Sequence, residues 1–273
     1  RQIEARLRTA ADGTLLAYDG FENLAGKLRR GRSGFGWSGG WEASGRGASG
    51  RGASGRDIGK GTTGTDTKRG NRGQLAEIVQ APDDFVFGHS RAGRRTLLLA
   101  DGTEIRRRLE AQWAPLEMDT LYVSLLVRRA SEASEKQASF QLSLEPESNS
   151  PRFMRRHSIS FGITSNGSVY LNNAGRVAET PGTFPTDTTC LLVFKYRVNN
   201  GSSYASLRVF PHQEQAAGKE TDLWTLSDVV ALPASELSGV RLYCGANATW
   251  QIDELKVGTN WDAVIQPGDF DRR

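Results

Sequence analysis

Apolar and polar residues alternate along most of the chain, which is the pattern of β-strands that bury one face. The clearest run, DTLYVSLLVRRA, places Leu121, Val123, Leu125 and Val127 on one side of an extended segment. The clearest hairpin is TTCLLVFKYRVNNGSSYASLRVF, whose two β-rich arms are joined by an Asn-Asn-Gly-Ser turn. No segment of ten or more residues after position 13 has the apolar stripe of a helix. The pattern predicts about a dozen strands in an all-β, two-sheet antiparallel sandwich, a jelly roll.

The last strand changes its apolar phase in the middle. Trp250 and Ile252 share one side of an extended segment, whereas Leu255 and Val257 fall on the other side. The change occurs across the acidic pair 253–254. A β-bulge at this pair explains it, and so does burial of both faces of the strand.

The acidic pair and the residues after it are interpreted as a structural closure. Asp253 and Glu254 are expected to accept backbone N–H groups at the bulge or to pair with an arginine such as Arg241. A calcium site is the alternative, but no D-x-D-x-D cluster supports it. After a Gly-Thr-Asn stop, residues 261–265, which begin with Trp261, are expected to form one helical turn over an open end.

Composition divides the chain into one domain and three less regular segments. Of 273 residues, 37% are hydrophobic, which suffices for one large core. Residues 1–12 are expected to be a linker or the end of an upstream connector, and 266–273 a tail. The domain spans 13–265, and its segment 43–73 is a flexible Arg/Gly/Ser-rich insertion with a repeat of five residues.

The basic charge belongs to the insertion and not to the domain around it. The insertion has seven basic residues and two acidic ones, whereas the formal net charge of the whole chain is +4. A nucleic-acid-binding domain would carry its basic patch on the fold, so sequence-specific nucleic-acid binding is not expected. A non-specific contact of the insertion with polyanions is the functional alternative to a solvated loop.

Cysteine and histidine usage excludes the common metal motifs. The chain has three histidines and two cysteines, without CxxC, HxxxH or HExxH spacing. No cofactor is expected. Cys190 and Cys244 each share a strand face with apolar neighbours, so they are either two buried thiols or one disulfide between core strands.

Catalytic motifs are also missing, which favours a protein that is not an enzyme. Sandwich glucanases place carboxylates as E-x-D-x-E on one strand, but Gln251 stands two residues before Asp253, where the first glutamate is required. No GxSxG occurs. His89 and Ser90 are adjacent, so on a strand they point to opposite faces.

Three aromatic residues are the candidate ligand contacts. Trp37 and Trp41 lie in the Gly-rich stretch GFGWSGGW, and Tyr122 lies in the run described above. Exposed aromatic rings of this kind stack on sugars. The alternative for the two tryptophans is that they fill the end of the sandwich.

Five segments taken in order resemble a known family: LAYDGFENLAGKL, GFGWSGGW, LYVSLLV, LLVFKYRV and WQIDELKVGTNW. Together they resemble the laminin-G-like, concanavalin-A-like jelly-roll domains of bacterial exported proteins. The version that looks most similar occurs in planctomycete-type bacteria, often attached to FecR-like sensor and anti-sigma regulators. The resemblance spans 14–265, and the insertion departs from it. It implies a module outside the cytoplasm, in the periplasm, the cell envelope or the medium.

The expected function is therefore a carbohydrate-binding or sensory module of a larger envelope protein, with a glycan or an envelope protein as its partner. The alternative is a structural or adhesion domain without a small ligand, and a third reading is a degenerate glycoside hydrolase. The chain begins with Arg and not Met, so an export signal or membrane anchor is expected upstream. A membrane-spanning helix needs about 18 consecutive apolar residues, and these 273 residues contain no such run.

Overall fold

The computed structural model of the chain shows a β-protein. The part of the chain that the structure describes consists of residues 15–22, 26–28, 33–44, 76–83, 85–87, 90–91, 95–113, 120–130, 139–146, 158–173, 176–182, 184–185, 188–199, 202–211, 216, 219–220, 222–230, 237–246 and 248–265. Most of the insertion at 43–73 and both ends of the chain, 1–12 and 266–273, lie outside these ranges.

Eighteen strands and a short helix lie within the described ranges. The strands are β1 Leu15–Asp19, β2 Gly26–Lys27, β3 Glu42–Ser44, β4 Ala76–Gln80, β5 Val86–Phe87, β6 Ser90–Arg91, β7 Arg95–Ala100, β8 Glu104–Trp113, β9 Thr120–Arg129, β10 Phe140–Pro146, β11 Ile159–Ile163, β12 Val169–Asn173, β13 Arg176–Thr180, β14 Cys190–Asn199, β15 Ser202–Phe210, β16 Leu226–Val230, β17 Leu237–Cys244 and β18 Thr249–Gly258. The helix α1 spans Trp261–Ile265.

The strands form two large antiparallel sheets and a separate β5–β6 hairpin. The nine-stranded sheet has the order β16-β15-β14-β9-β18-β7-β4-β2, with β1 paired to β18. The seven-stranded sheet has the order β13-β12-β11-β10-β17-β8-β3. A continuous apolar core joins them, and the stacked rings of Phe161 and Phe194 meet across it with centroids 4.6 Å apart. The predicted two-sheet sandwich is confirmed.

The strand pairing follows the alternation in the sequence. Val123 and Phe194 are paired on β9 and β14, and both side chains are buried in the core between the sheets. β14 continues antiparallel into β15, with Asn199 opposite Ser202 at the end of the ladder. The predicted hairpin is therefore confirmed with the turn in the predicted place.

A β-bulge explains the phase change in β18. The register of β18 against β9 shifts between Asp253 and Lys256. Glu254, between them, has φ 52°, in the left-handed region that side chains other than glycine rarely adopt. Trp250 and Leu255 therefore both lie in the core between the sheets, although strict alternation would place them on opposite faces. The bulge interpretation is confirmed.

A second buried cluster covers the other side of the nine-stranded sheet. Its strand members occupy the alternate positions of β9, β14 and β15 that point away from the core, among them Leu126, Leu191 and Phe210. Helix α1 packs on them through Trp261, and the Ser124 hydroxyl donates a hydrogen bond of 2.6 Å to the carbonyl of Val264. The helical turn predicted after β18 is present and covers this face.

The two cysteines are free thiols in the core. Cys190 lies on β14 and Cys244 on β17, and both side chains are fully buried. Burial raises the pKa of each thiol to about 12 because a thiolate loses its hydration there. The structure therefore agrees with the first alternative, two small apolar core residues, and not with a disulfide.

Candidate functional site

The outer side of the seven-stranded sheet, termed the polar face, is lined by polar residues from six adjacent strands. On β10, Phe140 and Leu142 point into the core, so Gln141 and Ser143 point outward. Strand pairing aligns the outward residues into two rows that cross the sheet. The first row is Glu104, Tyr243, Gln141, Gly162, Tyr170 and Glu179. The second row is Arg106, Arg241, Ser143, Ser160, Asn172 and Val177.

Hydrogen bonds join the two rows into one network. The Tyr170 hydroxyl donates to Gln141 Oε1 over 3.2 Å, and Gln141 Nε2 donates to Ser143 Oγ over 2.9 Å. The hydroxyls of Ser143 and Ser160 are also 2.9 Å apart. Arg241 continues the network, because its second terminal nitrogen donates to Ser143 Oγ over 3.3 Å. Amide, hydroxyl and guanidinium groups are thus held in fixed positions, with the hydroxyls of Ser143 and Ser160 buried beside the partly exposed side chains of Gln141, Tyr170 and Arg241.

Arg241 lies between two carboxylates at one side of this network. Its first terminal nitrogen donates to Glu104 Oε2 over 3.0 Å. Its Nε lies 2.9 Å from Glu145 Oε1, an ion pair without the alignment of a hydrogen bond. Burial raises the pKa of Glu145, and the positive charge of Arg241 opposes that shift. Arg241 therefore holds both acidic side chains in place by charge.

Tyr170 lies over a glycine on the next strand. A Cβ atom at Gly162 would lie 2.9 Å from the Tyr170 hydroxyl, so the phenol occupies the space above this glycine. Burial raises the pKa of Tyr170, which keeps the hydroxyl protonated as a donor. Tyr170 and Tyr243, on the other side of Gln141, are both partly exposed. The polar face therefore contains two phenol rings beside the amide of Gln141.

A small depression lies beside the second row. The residues that line it are Arg106, Arg107, Arg108, Glu145, Pro146, Ser238 and Gly239. A Cβ at Gly239 would lie 2.9 Å from the Arg107 carbonyl oxygen, so a glycine lets β17 approach β8 closely here. The depression extends the polar face without forming an enclosed cavity.

The structure places the two candidate tryptophans in a buried structural cluster. Trp37 and Trp41 are 8% and 2% exposed, and the Arg107 guanidinium lies 5.1 Å and 5.8 Å from their ring centroids. Trp41 Nε1 donates to Asp19 over 2.8 Å, and Trp37 Nε1 donates to the Tyr18 carbonyl over 2.9 Å. The expectation of exposed rings is wrong, and the alternative, tryptophans that fill the end of the sandwich, fits this packing.

The Gly-rich stretch hides its tryptophans because its glycines allow a close approach to β1. Gly34 and Gly36 have φ of 75° and 77°. A Cβ at either position would lie within 2 Å of a β1 carbonyl oxygen, that of Tyr18 or Leu16. Glycine is therefore required at both positions, and it brings the following Trp37 onto the sheet.

At the centre of this cluster Arg107 and Asp19 form a buried ion pair. The Ser33 hydroxyl and the backbone N–H of Phe21 also donate to Asp19, over 2.5 Å and 2.9 Å. Burial raises the pKa of Asp19 and lowers that of Arg107, while these hydrogen bonds and the mutual attraction of the pair oppose both shifts. Asp19, Arg107 and the donors around them satisfy one another by hydrogen bonds and charge, as the members of a structural network do.

Tyr122 lies on β9 of the nine-stranded sheet, and its ring is buried. Its ring is 5% exposed and packs edge-on against Trp261. Its hydroxyl donates to Glu220 over 2.7 Å, and Lys195 pairs with the same carboxylate. Burial and the Glu220 carboxylate raise the pKa of Tyr122. The expectation of an exposed ring is wrong here too, because the second buried cluster covers this face.

The acidic pair predicted to close the fold lies on β18, in the interior of the nine-stranded sheet. Asp253 Oδ1 accepts the backbone N–H of Glu254 over 2.8 Å, as expected for a bulge. Glu254 accepts the Tyr18 hydroxyl over 2.8 Å and pairs with Lys256 over 3.0 Å. The suggested pairing with Arg241 is wrong, because that arginine points away on the other sheet.

Within the described ranges, no group of three His, Cys, Asp or Glu side chains is arranged to hold a metal ion. No helix in the same part of the chain is long and apolar enough to cross a membrane. His89, His157 and His212 lie outside the described residues. Residues 45–73 of the insertion also lie outside them, so the polyanion contact stays a prediction.

The sequence analysis missed the polar face, although one signal for it was present. Gln141 and Glu145 alternate with the core residues of β10, and Arg241 and Tyr243 alternate with those of β17. Such alternation marks the outward side of any strand, so by itself it does not separate a binding surface from a solvated one. Only the pairing of Ser143 with Arg241 shows that these side chains meet.

Neither the family models nor the curated proteins match this chain. Solved structures of similar fold include two lectin domains and a carbohydrate esterase. Lectin I from Ulex europaeus, solved with the methyl glycoside of α-L-fucose, is 12% identical over 69% of this chain and 93% of its own, with a TM-score of 0.42. The carbohydrate recognition domain of Emp46p is 10% identical over 61% of this chain and 84% of its own, with a TM-score of 0.42. A carbohydrate esterase of the Shiga toxin-encoding bacteriophage phi24B is 14% identical over 91% of this chain and 99% of its own, with a TM-score of 0.48.

Proposed function

We propose that this chain is a non-enzymatic binding module that recognises carbohydrate through the polar face. The observation that supports this proposal is the continuous network of Tyr170, Gln141, Ser143 and Arg241 across neighbouring strands. Sugar hydroxyls both donate and accept hydrogen bonds, so they pair with carboxylates, amides and guanidinium groups fixed in one plane. Partly exposed phenol rings beside such groups supply the apolar contact that a pyranose ring needs.

The position of Arg241 supports a proposal of binding without cleavage. A glycoside hydrolase needs one carboxylic acid and one carboxylate on either side of the scissile bond. On the polar face, Glu104 and Glu145 are both paired with the same guanidinium, at 3.0 Å and 2.9 Å. Arg241 fills the position between them, where a hydrolase needs room for the scissile bond. The pair therefore supports a binding role.

The setting of the module is proposed from the family resemblance alone. The jelly-roll domains that it resembles belong to exported proteins and are often attached to FecR-like sensors. In that setting the module lies outside the cytoplasm, its ligand is a glycan, and the insertion contributes at most a non-specific attraction for polyanions.

A glycan array with purified wild-type and variant chains tests the function. Arg241→Met removes the guanidinium, and Gln141→Ala removes the amide that links Tyr170 to Ser143. Each change is expected to weaken glycan binding by about tenfold or more, since truncation leaves a polar ligand group unpaired. Tyr204→Ala, on the opposite sheet, is the matched control and is expected to bind as the wild type does. Binding that neither variant weakens, or an array with no bound glycan, would contradict the proposal.

A second candidate function is adhesion to an envelope protein. Large apolar side chains are exposed on β13, β15, β16 and the segment before β16, namely Val177, Tyr204, Leu223 and Val229. Apolar side chains gathered at one edge of a sandwich favour a protein contact. This candidate predicts an empty glycan array and an interaction with another protein that Tyr204→Ser weakens. The array therefore separates the two functions.

A further inference from the structure

We infer that Gln141 selects the ligand of the polar face and that it recognises two adjacent hydroxyls on one sugar ring. This inference rests on the proposed carbohydrate-binding function and adds the chemical group that is recognised and the residue that recognises it. It follows from the hydrogen bonds that hold the Gln141 amide, from the donor and acceptor that these bonds leave unused, and from the phenol rings on either side of the amide.

The Gln141 amide is held at both of its polar atoms. Its Oε1 accepts the Tyr170 hydroxyl over 3.2 Å, and its Nε2 donates to Ser143 Oγ over 2.9 Å. Tyr170 belongs to β12 and Ser143 to the same strand as Gln141, so the two bonds restrict the amide from two directions. A side chain that is already ordered loses little conformational entropy when a ligand binds.

Ser143 and Ser160 anchor this amide and have no hydrogen-bonding capacity left for a ligand. Ser143 Oγ accepts from Gln141 and from Arg241, which uses both lone pairs of the hydroxyl. Its own proton is then directed to Ser160 Oγ, which lies 2.9 Å away. Both serines are buried. They therefore position Gln141 from below.

The amide itself keeps one donor and one acceptor for a ligand. A glutamine side chain has two N–H donors and an oxygen with two lone pairs. Among the described residues, the Gln141 side chain bonds only to Tyr170 and Ser143, so one N–H and one lone pair remain. Gln141 is partly exposed, so a ligand can reach it from solvent.

Adjacent sugar hydroxyls match this donor and acceptor. One hydroxyl donates to Oε1 while its neighbour on the ring accepts from Nε2, because each hydroxyl is both a donor and an acceptor. An acetamido group cannot use both sites, because a secondary amide is trans and its N–H and C=O point in opposite directions. A uronate carboxylate has acceptors only, so it would leave Oε1 without a donor. The amide therefore favours a neutral sugar with two adjacent hydroxyls.

The rings beside Gln141 fit the same ligand. Tyr243 is paired with Gln141 on the neighbouring strand β17 and is partly exposed. On the other side, the Tyr170 phenol leans across Gly162, so that its hydroxyl reaches the amide. A sugar whose hydroxyls bind Gln141 therefore has a phenol ring close by for its C–H groups.

Deoxy methyl glycosides test this inference. The probes are the methyl glycosides of glucose, galactose and mannose, with the 3-deoxy and 6-deoxy forms of each. Loss of O3 removes every adjacent pair of ring hydroxyls, whereas loss of O6 removes one hydroxyl and keeps both pairs, so the 6-deoxy sugar is the matched control. In NMR titrations of the wild-type chain, we expect at least one parent sugar to bind. We expect its 6-deoxy form to bind within about threefold of the parent, and its 3-deoxy form to bind at least about tenfold more weakly.

Variants show whether Gln141 is responsible for this discrimination. Gln141→Ala is expected to bind the 3-deoxy and 6-deoxy forms about equally, because the group that recognises the pair is gone. Tyr170→Phe keeps the ring and removes the hydroxyl that holds Oε1, so the discrimination is expected to fall about threefold. Tyr204→Ala, on the opposite sheet, is the control with full discrimination. An unfolded fraction lowers both affinities equally, so their ratio does not depend on how well a variant folds.

The outcomes separate this inference from the function on which it rests. Equal affinity of the wild type for the 3-deoxy and 6-deoxy forms, or full discrimination in Gln141→Ala, would overturn the role of Gln141 and leave carbohydrate binding intact. If no parent sugar binds measurably, the glycans bound on the array are treated with periodate, which cleaves the ring between adjacent hydroxyls. We then expect binding to be lost, and retained binding would overturn the inference. Absence of binding by every glycoside and every array glycan would overturn both.

Discussion

Two arginines of the seven-stranded sheet show how the side of the sheet decides the role of a side chain. Arg107 on β8 points to the core and is 2% exposed, and its partner Asp19 is fully buried. Arg241 on β17 points to the polar face and is 20% exposed, with partners Glu104 and Glu145 at 31% and 10%. Both arginines hold carboxylates, but only the second is within reach of a ligand.

The difference lies in what else each guanidinium contacts. Arg107 donates to Asp19 and to the carbonyls of Ser33 and Gly39, and its faces lie against two tryptophan rings. Arg241 donates to Glu104 and Ser143, whose side chains belong to the same outward surface. Arg107 is therefore enclosed by its partners in the core, whereas part of the Arg241 side chain on the outer face remains in contact with solvent.

The largest expected effect comes from breaking the buried pair. Asp19→Ala leaves the Arg107 charge without its carboxylate in the core, and the free energy of unfolding is expected to fall by about 3–5 kcal/mol. Equilibrium urea unfolding, followed by tryptophan fluorescence, measures this loss. The double variant Asp19→Ala with Arg107→Met is the control. It removes the uncompensated charge and is expected to regain part of the stability, since an apolar side chain replaces a buried ion. A single variant as stable as the wild type would show that the pair is not structural.

The sequence predicted the sheets well because the alternation of residues reports burial directly. Leu121 and Val123 were placed on one face of a strand from their period of two, and both are fully buried. The site residues depended on pairing over long separations. Arg241 is 137 residues from Glu104, and no local pattern states that these two meet. The run of three arginines in β8 likewise does not show which of them points into the core. The strand register places Arg107 inward and its two neighbours outward.

The tryptophans were misplaced for a physical reason. Exposed aromatic rings stack on sugars, so Trp37 in the Gly-rich stretch was taken as a candidate contact, with filling of the sandwich end as the alternative. Gly34 and Gly36 instead adopt left-handed conformations against the carbonyls of β1, which presses the stretch onto the sheet. Composition gives no information on which of these two alternatives a Gly-rich stretch adopts.

The second expected effect sharpens the comparison by testing how well the core excludes solvent. The pKa of Cys190 and Cys244 is raised from 9.0 to about 12 in the folded protein because the core lacks water. Unfolded thiols ionise above about pH 9, so their contribution to stability is complete below that pH and is lost as the pH rises toward 12. The loss is on the order of 1.4 kcal/mol per pH unit for each thiol. Urea unfolding between pH 8 and about pH 10 measures it, with Cys190→Ala and Cys244→Ala together as the control that has a flatter profile. Rapid reaction of both thiols with a thiol reagent in the native state would contradict a sealed core.

The smallest expected effect on stability belongs to Arg241, and it is the sharpest test of the contrast with Arg107. Arg241→Met removes ion pairs that are partly exposed, so the free energy of unfolding is expected to fall by about 1 kcal/mol or less. Arg107, which loses its partner in Asp19→Ala, has no such access to water, whereas Glu104 and Glu145 keep part of their hydration when Arg241 is lost. Thermal unfolding of Arg241→Met beside Asp19→Ala compares the two arginine networks in one experiment. A loss for Arg241→Met as large as that for Asp19→Ala would mean that the Arg241 network also holds the fold together, and the distinction between the two faces would then fail. A small loss of stability with a large loss of glycan binding is the combination that a recognition surface requires.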